Sequence, residues 1–176
     1  HIWNSTTIWQ QVVTLMADHL KSINPDKSAD YDKNAEAYKK QIEETDTWAK
    51  QETAKIPEER RVLVTGHDAF NYFGRAYGIE IHATDFVTSE SDMSADDIAE
   101  LAELIATHKL PVIFQDNLKN PQAIQSVKEA VAAKGWTVEV SDKELYADSL
   151  GDESGVDSYL GVMKHNVTTI VEALSR

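Results

Sequence analysis

The chain of 176 residues is long enough for one domain with a sizeable hydrophobic core. It carries 30 acidic and 17 basic residues, a formal charge of -13, and no cysteine. This charge balance leaves no basic stripe for nucleic acid, and the lack of cysteine excludes disulfides, thiolate nucleophiles and cysteine-based zinc sites. No apolar run reaches the length of a transmembrane helix.

The first third of the chain has the periodicity of two long helices. Apolar residues recur at steps of three and four, and Ser5 or Asn4 precedes them as an N-terminal cap. In the first helix the recurring residues are Ile8, Val12, Leu15, Met16 and Ile23. In the second they are Tyr31, Ala35, Tyr38, Ile42, Thr45 and Trp48. We predict that this helical region covers residues 1–57 and that Pro57 stops its second helix.

After residue 60, short β-rich runs alternate with helical segments. The predicted strands are 61–66, 79–86, 110–116 and 136–142. Gly78 is placed to end one helix, Ser94 and Asp97 form a capping-box pattern at the start of the next, and Asn120 caps a third. The alternation predicts an α/β fold, a four-stranded, mainly parallel sheet covered by helices and preceded by a long helix. We place this α/β lobe at residues 58–176.

Polar residues follow each predicted strand. Open parallel α/β sheets bind their ligands beyond the carboxyl ends of the strands. In this chain, His67 and Asp68 follow the first predicted strand. The carboxylates after the other strands are Asp85, Asp116, Asp142, Glu144 and Asp148. Imidazole and carboxylate ligands together suit zinc, manganese or iron(II). The pattern therefore makes this edge a candidate metal site.

Structural roles remain open for the same residues. Asp68 could cap the helix that follows it, and Asp116 and Asp142 could be ordinary loop residues. His67 could be a structural histidine. Surface or structural roles are also expected for His19, His82, His108 and His165. The sequence contains no glycine-rich phosphate loop, no nucleophile elbow and no HExxH motif.

Several segments together resemble one family. The segment VTGHDAFNYFGRAYG closely resembles the metal-binding lipoproteins of bacterial ABC transporters for zinc and manganese, the TroA-like family. The opening HIW resembles that family's D-P-H-[VI]-W, and DKNAEAY its Y-x-x-N-A-x-x-Y/F stretch. KLPVIFQD resembles K-x-P-x-[IL]-F-x-E, and LYADSLGDESGVDSYLGVMKHN its closing segment. The resemblance covers essentially the whole chain.

The resemblance implies a fold and a ligand set. Family members have two α/β lobes joined by a long helix, with the metal between the lobes. By motif position, three of four ligands fall here on His1, His67 and Asp148. The fourth is a histidine of the amino-terminal lobe, which has no counterpart in this chain, so we expect weak metal binding here. Asp116, where the family has glutamate, and Asp68 are candidate hydrogen-bond partners of the ligands.

The resemblance also implies a function, which is extracellular capture of Zn²⁺ or Mn²⁺ and its delivery to an ABC permease. Histidine at position 67 favours zinc. The full-length form is expected to be monomeric, lipid-anchored and non-enzymatic, with no nucleic-acid partner. Two alternatives stay open. One is a metal-dependent hydrolase that uses His67 and Asp148, with Asp68 or Asp116 as the base, and the other is a surface adhesion module.

Overall fold

A computed structural model describes residues 1–66, 68–83, 94–114 and 121–176. Within these ranges, a 3₁₀ turn at Ile2–Asn4 precedes six α-helices and four strands. The helices are α1 (Thr6–Ile23), α2 (Ser28–Thr53), α3 (Asn71–Tyr77), α4 (Ala95–Thr107), α5 (Pro121–Ala133) and α6 (Tyr159–Leu174). The strands are β1 (Val62–Thr65), β2 (Glu80–Ala83), β3 (Val112–Ile113) and β4 (Glu139–Val140). The helix-rich α/β architecture predicted from the sequence is confirmed.

The strands are parallel and form two pairs. β1 pairs with β2 so that Val62 lies opposite Glu80, and β3 pairs with β4 so that Val112 lies opposite Glu139. The Phe114 N–H donates a hydrogen bond of 2.9 Å to the carbonyl of Val64, which places β3 beside β1. The strands therefore follow the order β2, β1, β3, β4. β3 and β4 are shorter than the sequence pattern predicted.

Successive side chains of β1 point to opposite faces of the sheet, and helices cover both faces. Leu63 packs in one apolar cluster with residues of α2, α3 and α6. Val62 and Val64 pack in a second cluster with residues of α4 and α5. All four β1 residues are buried, which explains why the strand reads as a continuous apolar run.

Local signals set the helix ends. The Ser5 side chain accepts from the amide of Ile8 at the start of α1. Ser94 and Asp97 form the predicted capping box of α4, and Gly78 ends α3 in the left-handed conformation at φ 69°. The predicted cap Asn120 lies outside the described residues. Among the helices described, none is both long and apolar enough to cross a membrane.

Candidate metal site

The candidate site lies where three chain segments meet. The first is the 3₁₀ turn that follows His1, the second is the loop between β1 and α3, and the third is the loop between β4 and α6. The second and third start at the carboxyl ends of parallel strands, the edge at which α/β sheets bind ligands. Asp148 lies on the third segment, far from His1 in sequence.

His1 and Asp148 are the two proposed ligands that the described structure brings together. His1 Nε2 lies 3.0 Å from Asp148 Oδ1. Two ligand atoms at about 2.1 Å from one tetrahedral ion are about 3.4 Å apart, so shifts of a few tenths of an ångström would let both bind the same zinc. Their side chains are 32% and 56% exposed, which leaves the pair accessible from solvent.

Position 67 lies outside the described residues, as do the predicted edge residues Asp85 and Asp116. The neighbours of His67 are described: Gly66 is buried, and Asp68 is exposed. Within the ranges that the structure describes, no group of three or more histidine and carboxylate side chains is arranged to hold a metal. The structure thus pairs two of the three proposed ligands, and the third remains a prediction.

Asp68 does not cap the helix that follows it. α3 begins at Asn71 with Phe70 in the N-cap position, and no side chain bonds the free amides there. The Asp68 backbone carbonyl accepts a hydrogen bond of 3.4 Å from the Asn71 side chain. The capping interpretation of Asp68 is therefore wrong, and its carboxylate is exposed next to position 67.

Aromatic side chains line a cleft beside Asp148. The rings of His1 and Trp3 meet edge to face, with centroids 5.4 Å apart. Trp9 stacks on Tyr159 at 5.3 Å, and both line the cleft. Such an apolar surround limits water at one side of a site and lowers the local dielectric, which strengthens charge–charge interactions there. Sequence periodicity did not identify this cleft.

A buried polar cluster fixes the start of α1 to two other helices. The Thr6 hydroxyl donates to Asp46 Oδ1 at 2.7 Å, and the Tyr77 hydroxyl donates to the same oxygen at 3.2 Å. Lys50 pairs with the other carboxylate oxygen at 2.7 Å. Because α1 begins directly after the 3₁₀ turn, this cluster also holds the backbone that carries His1.

Other histidines have structural partners, as the sequence suggested. His82 pairs with Glu80 at 2.8 Å, His108 bonds the Glu59 carbonyl at 2.7 Å, and His165 bonds the Glu144 carbonyl at 2.8 Å. The exposed His19 lies on α1. None of these four adjoins Asp148 in the way that His1 does.

The fold and this edge define a lobe of an α/β binding protein with a histidine–carboxylate pair. Comparison with known proteins gives the family. The ZnuA family, described as "Zinc-uptake complex component A periplasmic", matches residues 1–173, and the chain belongs to it. Members of this family are solute-binding transport components, which does not favour the hydrolase alternative.

Relatives agree in sequence and in structure. The chain is 37% identical to the zinc-binding protein TroA of Treponema pallidum over 100% of this chain and 57% of the relative. It is 33% identical to the manganese-binding lipoprotein MntA of Bacillus subtilis over 99% of this chain and 57% of the relative. The chain thus spans little more than half the length of these curated relatives.

Two solved structures extend the match to three dimensions. The periplasmic zinc-binding TroA of Treponema pallidum superimposes with a TM-score of 0.86 over 100% of this chain and 64% of that one, at 37% identity. Fe(III)-bound YtgA of Chlamydia trachomatis gives a TM-score of 0.79 over 99% and 62%, at 30% identity. The fold of this chain is therefore that of one part of a two-lobe binding protein.

Proposed function

We propose that this chain binds a divalent transition-metal ion through His1, His67 and Asp148 and serves its uptake. The observation that carries the proposal is the 3.0 Å approach of His1 Nε2 to Asp148 Oδ1. Zinc and manganese both accept imidazole and carboxylate ligands. The two side chains meet at the edge of the sheet where β1 ends, and His67 follows β1 in the sequence. Asp68 and Asp116 are proposed as hydrogen-bond partners of the ligands.

The donor set favours zinc over manganese. Two imidazoles and one carboxylate match zinc's tetrahedral preference, whereas manganese prefers more oxygen ligands. The relatives differ in the ion they are named for, since TroA is named for zinc, MntA for manganese, and the YtgA structure holds Fe(III). The ligand types of this chain are therefore a better guide to its ion than the relatives are.

The wider role that we propose is capture of the ion outside the cytoplasmic membrane and release to an ABC permease. The family description as a periplasmic component of an uptake complex supports this role, and MntA is named a lipoprotein. A lipid anchor and a monomeric full-length form belong to the same proposal. The division into a helical region at 1–57 and a lobe at 58–176 is proposed with it.

Competition between the two ions tests the metal preference. We expect that zinc displaces manganese from the chain at equal concentrations, because imidazole binds zinc more strongly in the order of divalent ions. Electron paramagnetic resonance of Mn²⁺ reports the free ion directly. Manganese that stays bound in the presence of equimolar zinc would contradict the assignment.

A further inference from the structure

Asn4 is a buried polar residue in the 3₁₀ turn, and its side-chain amide bonds two distant parts of the backbone. It is 2% exposed. Its Nδ2 donates to the carbonyl of Ala69 at 2.9 Å and approaches the carbonyl of Ala147 at 3.5 Å. An amide nitrogen has two hydrogens, so one Asn4 side chain can serve both carbonyls.

Both carbonyls belong to segments that carry proposed ligands. Ala69 follows His67 by two residues, and Ala147 directly precedes Asp148. Asn4 itself lies in the turn that begins at the amino-terminal histidine, and its backbone N–H donates to that histidine's carbonyl at 3.2 Å. The side-chain amide and the backbone N–H of this one residue therefore contact, between them, all three segments on which the proposed ligands are placed.

Neighbouring bonds hold the turn in the same position. The Trp3 indole N–H donates to the Ala147 carbonyl at 2.7 Å. The Tyr159 hydroxyl, at the start of α6, donates to the Trp3 carbonyl at 2.9 Å. The turn is thus fixed to the β4–α6 loop and to α6, and Asn4 adds the bond to the β1–α3 loop.

We propose that Asn4 is a positioning residue that sets the separation of the three metal-ligand segments. This inference rests on the proposed metal-binding function. A small or apolar side chain at position 4 would leave the Ala69 carbonyl buried without this donor, and the β1–α3 loop would no longer be tied to the turn. The ligand atoms would then lose their mutual alignment while each ligand remained chemically intact.

The test compares metal binding by the whole chain and by Asn4→Ala. Zn²⁺ affinity is measured by calorimetry, and coordination geometry by the visible absorption of bound Co²⁺. Substitutions of groups that orient metal ligands lower affinity by about 10- to 100-fold, so we expect a loss of at least about tenfold and a changed cobalt spectrum. Thr53→Val is the control, because Thr53 is 2% exposed and bonds only within its own helix, to Ala49 and Lys50.

The outcomes separate this inference from the proposed function. Unchanged zinc affinity and an unchanged cobalt spectrum in Asn4→Ala would overturn the positioning role while leaving metal binding intact. Absence of saturable binding by the unsubstituted chain would overturn both. An equal loss of affinity in Thr53→Val would assign the effect to general destabilisation and overturn the positioning role.

If Asn4→Ala does not fold, Asn4→Ser is measured instead, because one hydroxyl hydrogen cannot serve two carbonyls. Unchanged zinc affinity in Asn4→Ser would overturn the positioning role.

Discussion

At the scale of single residues, the candidate site depends on a histidine and a carboxylate that are far apart in the sequence, His1 and Asp148. His1 Nε2 and Asp148 Oδ1 lie 3.0 Å apart, so the two atoms that would bind the metal already face each other. The contribution of each side chain to metal binding can therefore be tested one residue at a time.

Replacing Asp148 by asparagine tests the carboxylate. We expect Asp148→Asn to lower zinc affinity about tenfold or more, because a neutral amide is a much weaker ligand than a carboxylate. Calorimetric titration measures the change. Asp152→Asn, an exposed change in the same loop, is the control and should leave the affinity as it was. Equal affinities for Asp148→Asn and the unsubstituted chain would contradict the assignment.

Tyr77 predicts a pH dependence of stability that is separate from metal binding. Its hydroxyl donates to Asp46 and lies 3.2 Å from the Thr6 hydroxyl in a buried cluster. Burial raises the pKa of the Tyr77 phenol well above its ordinary value, and the nearby Asp46 carboxylate raises it further. The folded state therefore keeps this phenol neutral at a pH where the unfolded chain ionises it.

The sign of the effect follows from linkage. The stability contributed by neutral Tyr77 is fully present below the unfolded pKa of about 10 and is lost as the pH rises above it. We expect the free energy of unfolding to fall between about pH 9 and 11, and less steeply in Tyr77→Phe. Urea denaturation across this range measures both slopes, with Tyr72→Phe as the exposed control on the same helix. Parallel curves for Tyr77→Phe and the unsubstituted chain would contradict the account.

Prediction from sequence succeeded where a residue acts locally and failed where it acts at long range. Ser94 and Asp97 are three residues apart, so the capping box was visible in the sequence and is confirmed. Asn4 bonds carbonyls 65 and 143 residues away, and nothing in its sequence neighbourhood indicates those partners. The proposed cap at the start of α1 fell correctly on Ser5, one of the two residues considered.

At the scale of elements, Gly74 determines how closely α3 approaches β2. A Cβ at this position would clash with the Ile79 carbonyl oxygen and would lie 2.5 Å from Cγ1 of Ile81. The first contact is with backbone, so a side-chain rotation cannot relieve it. Only glycine allows the helix and the strand that follows it to pack at this distance.

Gly74→Ala should therefore destabilise the chain. Alanine gains about 1 kcal/mol in helix propensity over glycine, but overpacking typically costs about 1–3 kcal/mol and here meets backbone. We expect a net loss of about 2 kcal/mol in the free energy of unfolding, measured by chemical denaturation. Gly78→Asn is the control, because a Cβ added at Gly78 would have no neighbouring atom within 4 Å and asparagine tolerates the left-handed conformation. A Gly74→Ala variant as stable as the parent would contradict this packing.

The strands show why element lengths were harder to predict than element order. β1 was predicted at 61–66 and spans Val62–Thr65, whereas in the described part of the run at 110–116 the strand is Val112–Ile113. The order of elements follows from hydrophobic patterning, which the sequence contains. Strand length depends on hydrogen bonds to a partner strand, and that partner is far away in the chain.

At the scale of the whole molecule, the first helix shows what periodicity cannot tell. The apolar stripe of α1 was predicted correctly as helical, but Leu15, Met16 and Ile23 are 67%, 58% and 67% exposed. The stripe of α6 has similar spacing and is largely buried. Amphipathic spacing thus identifies a helix without showing what covers its apolar face.

The site shows the same limit. Motif resemblance named His1, His67 and Asp148, and the structure brings the first and last together. Residue patterns alone pointed to an edge with His67 and several carboxylates. They did not point to His1, because its approach to that edge depends on the turn and on the contacts of Trp3 and Asn4. Those contacts span 144 and 65 residues of sequence and have no local signature.

The most direct test of the central claim is a calorimetric zinc titration of the chain and of His67→Ala, with the exposed His19→Ala as control. We predict one saturable site, weaker than nanomolar, whose affinity falls about tenfold or more in His67→Ala and stays the same in His19→Ala. The loss follows because one of three proposed ligands is removed. Equal affinity in His67→Ala, or no saturable binding by the unsubstituted chain, would contradict the account.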